Sequence, residues 1–124
     1  MDTQEIFLTF EVEVGADGQA LAQEVQARLM ALQAVSKAEA DLESPRLTGA
    51  EVVAAIAVGV VVVRGVRELA QELNLLIPEI ARLVREIKGL RAVFVEVDGK
   101  NVPIDEMDES KIATLGEYGE ARDK

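Results

Sequence analysis

The residues that could do chemistry in this chain are few, and the sequence does not assemble them. Histidine is absent, which removes the commonest general base and metal-ligating imidazole. Cysteine is absent as well, so there is no disulfide, no thiolate metal site and no thiol redox couple. Ser36, Ser44 and Ser110 stand without a neighbouring base in any nucleophile motif. Asp105, Glu106, Asp108 and Glu109 form a loose acidic run that lacks the ligand spacing of a calcium loop. Asp98-Gly99-Lys100-Asn101 carries turn chemistry, not the geometry that cradles phosphate. Arg82, Arg85 and Lys88 share one side of a predicted helix, bracketed by Arg64, Arg67 and Arg91. They offer a docking surface for an acidic partner or for the chain's own acidic end. The reading is therefore no catalytic residue, no cofactor and no metal, with function placed in binding and assembly.

Composition supports that direction. With 23 acidic against 13 basic residues the net charge is −10, which argues against a nucleic-acid surface, where clustered Lys and Arg are required. At 124 residues the chain is one domain with room for a real core. That core is aliphatic, since the aromatics are Phe7, Phe10, Phe94 and Tyr118. The first ten residues lack a basic region followed by an apolar one, so no signal peptide is expected, and a cytoplasmic protein fits.

The elements that must position any binding surface follow from periodicity. Ile6, Leu8, Phe10, Val12 and Val14 alternate with Phe7, Thr9, Glu11 and Glu13, the pattern of a half-buried strand. Asp17 is placed to cap a helix over 19–33 whose apolar stripe is Leu21, Val25, Leu29 and Leu32. Residues 35–42 alternate again and read as a weak strand, charged enough for a sheet edge. Near the end, Val93, Val95 and Val97 lead into the Asp98-Gly99 turn, and Val102-Pro103-Ile104 returns as an edge strand. Residues 107–124 read as an acidic, flexible tail beyond a domain of residues 1–106.

Between these lies the stretch 48–90, which opens with twelve residues, 52–63, that include no polar side chain. Thr48 with Glu51 makes a capping box, Leu47 with Val52 a hydrophobic staple, and helical spacing continues through Val66, Leu69, Leu73 and Ile77. This predicts one helix, kinked or broken near 74–77 by Pro78, about 63 Å long if continuous. A helix apolar on all sides must be covered on all sides. One face carries Ala50, Ala54, Ala57 and Val61, a further small line runs through Ala55 and Gly59, and with Val66, Leu69 and Leu73 beyond them these suit a helix–helix contact with a second copy. A membrane span needs roughly 20 apolar residues, and twelve cover only about 18 Å, so bilayer insertion of 52–63 is the lesser alternative.

With the segments placed, LAQEVQARLMAL, RLTGAEVVAAIAVGVVVV and RAVFVEVDGKNVPI in that order resemble the effector-associated constant component domains of bacterial conflict systems. The resemblance covers about residues 5–106. It implies an adaptor, not an enzyme, that accompanies a caspase-like or trypsin-like protease effector in antiviral defence, and it offers no catalytic residue to carry over. The chain departs from that pattern in its longer, Pro78-interrupted helix and acidic tail. The expected fold is α+β, an approximately four-stranded mixed sheet in β-α-β-α-β-β order with a short and a long, Pro-kinked helix on one face. The expected function is a non-enzymatic interaction module that forms a homo-oligomer or docks a protein effector through the long helix. Its contacts would be Ala50, Ala54, Ala57, Gly59, Val61, Val66, Leu69 and Leu73 together with Arg82, Arg85 and Lys88. The alternative is a peripheral membrane component.

Overall fold

In the computed structural model the chain is described over residues 3–43, 46–48, 51–63, 69–108 and 110–112. The strands are β1 (Thr3–Val12), β2 (Val35–Leu42), β3 (Arg46–Thr48), β4 (Glu51–Val53), β5 (Ala55–Val63), β6 (Leu90–Val97) and β7 (Lys100–Pro103). The helices are α1 (Gly18–Met30) and α2 (Leu69–Glu86), and a 3-10 turn spans Ile104–Glu106. Five strands form one sheet in the order β2-β5-β1-β6-β7, antiparallel throughout. β1 and β2 run parallel with β5 between them, and β5 and β6 run parallel with β1 between them. Two split β-α-β units thus interleave, the ferredoxin-like arrangement, with β7 added at one edge. Side chains from α1 and α2 join one core with Ile6, Leu8, Phe10, Ile56, Val58, Val60 and Val62, so both helices cover the same face.

The expected four-stranded mixed sheet and long helix are both overturned. Residues 52–63 belong to the strands β4 and β5, with Ala54 between them, and are not the start of a helix. β2 pairs antiparallel with β5, and β3 pairs antiparallel with β4, with Thr48 opposite Glu51. The Thr48/Glu51 capping box and the Leu47/Val52 staple are instead cross-strand partners. The same residues therefore serve strand pairing and not helix initiation. Burial in β5 has period two, with Ile56, Val58, Val60 and Val62 fully buried and Ala57, Gly59, Val61 and Val63 half-buried.

The remaining elements follow local chemistry. Asp17 caps α1, accepting from the Ala20 N–H at 3.1 Å. Leu21, Ala22, Val25 and Leu29 form its buried stripe, and the helix ends at Met30, short of the expected 33. α2 passes through Pro78 without a break. Pro78 and Asn74, whose carbonyl the proline ring deprives of its donor, both lie on the solvent side, where water can satisfy the freed oxygen. On the inner side Leu73, Leu76, Ile77, Ile80 and Leu83 are buried on both sides of the proline and hold the helix to the sheet. Arg28 of α1 and Glu86 of α2 form an ion pair between the two helices. The Asp98-Gly99 turn has positive φ at both residues (52° and 80°), the twist a two-residue hairpin loop needs.

After the 3-10 turn the described residues up to Ile112 stay on the body. Met107 packs against the core and Ile112 is buried within it. Asp108 caps the final described turn: its Oδ1 accepts from the Lys111 N–H at 2.8 Å and its Oδ2 from Lys111 Nζ at 3.2 Å. The backbone N–H first, and the ammonium second, hold this carboxyl below the usual carboxylate range. Since the folded group ionises more readily than the unfolded one, the cap contributes fully above that range. Its contribution is lost as the pH falls through the depressed folded value. An acid titration followed at the Lys111 amide should show that step, and Asp108→Ala should remove it.

Candidate interaction surface

The face of the sheet opposite the helices is left open by them. Along β1 and β5 the residues of even number point into the core, so Phe7 and Thr9, and Ala57, Gly59 and Val61, share the other face. Register brings them together. Phe7 lies opposite Gly59, and Thr9 lies between Ala57 on one side and Phe94 on the other. Pro103 of β7 is opposite Phe94 and continues the strip. The result is an apolar centre spread over four strands, with Phe7 37% exposed. Glu5 and Glu11 on β1, Glu39 and Asp41 on β2 and Glu96 on β6 stand around it at alternating positions. Lys37 supplies a positive charge on the same face and pairs with Glu39 at 3.0 Å.

The residues singled out from sequence fall in several separate places. Ala57, Gly59 and Val61 do lie together, but on a strand and not on a helix. Ala54 precedes β5 and packs half-buried against the core. Leu73 is fully buried under α2 and is not available to a partner. Leu69 is the first residue of α2. Arg82 and Arg85 are exposed on α2 and Lys88 just beyond it, on the helix layer, with Arg82 3.8 Å from Glu79. Ala50, Val66, Arg64 and Arg67 lie outside the described residues, as do Ser44, Glu109 and the tail from 113 onward. Sequence reasoning missed Phe7, Phe94 and the carboxylates around them. The available signal was two of the three phenylalanines standing at the otherwise polar positions of strongly alternating strands.

Gly59 shows how open this face is. A Cβ built there would meet the Glu5 Oε2 at 3.2 Å and Phe7 Cε1 at 3.7 Å. The nearer atom is the far end of a flexible side chain and can move aside. Gly59→Ala should therefore stabilise the protein by about 0.5–1 kcal/mol in urea unfolding, through the lower entropy of the unfolded chain. Gly59→Leu should still fold, displacing Glu5 and Phe7. The overpacking expected of a helix–helix contact at this position does not arise.

Among the described residues, no group of three or more Asp and Glu side chains is placed to hold a metal ion. No described helix is long and apolar enough to cross a membrane. The 55–63 part of the run that suggested bilayer insertion lies between β2 and β1 in the sheet, so releasing it would dismantle the core. No family model, curated protein or solved structure matches the chain.

Proposed function

We propose that this chain is a non-enzymatic interaction module that docks a partner protein on the open face of its sheet. The observation that carries the reading is the apolar centre built by Phe7, Ala57, Gly59, Val61 and Phe94 on a face that neither helix covers. Contiguous apolar surface rimmed by charge is what a protein contact needs: the centre loses water on binding and the rim selects the partner. The rim is acidic. A second copy laid face to face would set Glu5, Glu11, Glu39, Asp41 and Glu96 against the same groups, so a partner with basic residues around an apolar centre fits better. The resemblance to effector-associated domains suggests its class, a caspase-like or trypsin-like protease effector, with this protein as the adaptor. The contact assigned from sequence to a long helix passes to the sheet.

The reading is tested in cells with a photoreactive side chain in place of Val61 on the open face, and separately in place of Arg82 on α2. A specific crosslinked partner at position 61, weakened by high salt and absent at position 82, is the expected result. Crosslinks at position 82 alone, or at neither, would overturn it.

A further inference from the structure

The edge of the sheet at β2 has a feature that the open face does not share. In β2 the N–H groups of Lys37, Glu39 and Asp41 alternate with those of Ala38 and Ala40, which point away from β5. Those outward amides are met by side chains of α1. Ala38 N–H donates to Met30 Sδ at 3.1 Å, and Ala40 N–H donates to Gln26 Oε1 at 3.0 Å. A thioether is a weak acceptor for a partly buried backbone donor, and a backbone carbonyl would serve it better. Two acceptors on alternate residues of an edge strand occupy the positions that the carbonyls of a neighbouring strand would take. Beside them runs a groove of about 360 Å³ between α1 and β2, lined by Gln19, Gln23, Gln26, Met30, Ala40 and Leu42 among others. Met30 and Leu42 are each 46% exposed, unusually open for large apolar side chains.

We propose that this groove binds an extended segment of a partner protein, added as a further antiparallel or parallel strand on β2, in which Lys or Arg alternates with apolar side chains. Strand addition places alternate side chains of the incoming segment on the two faces of the sheet. On the helix side they meet Met30 and Leu42 and are apolar. On the other side they lie across from Glu39 and Asp41, whose charges exceed that of Lys37, in a chain of net charge −10. That is the complement of a basic residue at every second position. A second copy of this chain fits the edge poorly. α1 lies over β2 more than over β5, and strands pair at about 4.8 Å, so two joined β2 edges would crowd their α1 helices well inside the roughly 8–10 Å that helix packing requires. A segment without a helix above it avoids that clash. The site shares Glu39 and Asp41 with the rim of the open face, but it uses the β2 edge amides and the groove beside α1 and not the apolar centre, so either can fail without the other.

The test uses the full chain and a fluorescein-labelled heptapeptide alternating lysine with valine, followed by anisotropy and by the backbone amide resonances of Ala38 and Ala40. Saturable binding with a dissociation constant below about 1 mM is expected, with both resonances shifting. Two further peptides carry N-methyl groups on alternate residues, in sets offset by one. One set blocks the amides that face β2 and should weaken binding about tenfold or more; the other should not. Ala40→Pro, which removes an outward donor that the β2–β5 ladder does not use, should weaken the plain peptide to a similar degree. Arg82→Ala on α2 should leave it unchanged. Equal tolerance of both methylated sets, equal binding of a glutamate–valine peptide, or no binding of the lysine–valine peptide would overturn the proposal. So would light scattering that shows a dimer broken by Ala40→Pro, since the occupant of the edge would then be a second copy.

Discussion

Val60→Asp is expected to leave no folded protein, while Val61→Asp, one residue along, keeps a cooperative melt close to that of the parent. Val60 is fully buried beneath the helices, paired with Ile6 on β1 and Ala38 on β2. A carboxylate there loses its water without gaining a partner, at a cost of several kcal/mol even if it takes up a proton. Domains of this size hold only about 5–15 kcal/mol in total, so one such change removes most or all of the folded population. Val61 points to the open face, between Glu5 and Lys37 in register. A new charge there stays hydrated, with one like and one unlike neighbour, and should cost less than about 1 kcal/mol. Circular dichroism melts of the two variants measure the contrast. Comparable damage at 60 and 61, or damage recurring every three to four residues, would mean that this segment is helical after all.

The second large effect is expected at the far end of the chain. Read from sequence, residues 107–124 are a tail that could be removed with little change in thermal stability. Ile112, however, is only 5% exposed and belongs to the core, and Met107 packs against the same cluster. Ile112→Ala should cost about 2–4 kcal/mol, the range for removing a buried aliphatic side chain with partial collapse of the cavity. A chain ending at residue 106 should lose at least as much, because both anchors go together. Lys111→Ala, at a neighbouring half-buried position, should cost far less than Ile112→Ala, since its ion pair with Asp108 is solvent-exposed. Urea unfolding of the three variants at neutral pH separates them. If the shortened chain unfolds at the same midpoint as the full one, the packing of Ile112 contributes nothing to stability.

Much of the architecture is carried by local chemistry and was readable without coordinates. The alternation in β1, the capped amphipathic α1, the charged strand β2 at an edge, and the Asp98-Gly99 hairpin with Pro103 on the outermost strand all follow from neighbouring residues. In each case polar residues mark the exposed side, so the period is visible. The 52–63 run has no polar residue, and with it goes the marker that distinguishes period 2 from period 3.6. What remained was a difference in bulk, with Ile56, Val58 and Val60 on one side and Ala57 and Gly59 on the other, and that was the weaker signal beside an apparent capping box.

Two things were decided only by the tertiary structure. One was the identity of β5, because a strand is stabilised by partners distant in sequence: β5 is held by β1 on one side and β2 on the other, and no feature of residues 55–63 alone supplies those ladders. The other was the binding surface. Phe7, Gly59 and Phe94 become one apolar patch only because the register aligns three strands and both helices pack on the opposite face. Gln26 and Met30 reach the amides of β2 only because α1 folds back over that edge. By itself the sequence determined which segments alternate, where they turn, and that the chain lacks histidine and cysteine. Which faces those segments share was set by long-range pairing, whose free energy depends on all of the strands at once.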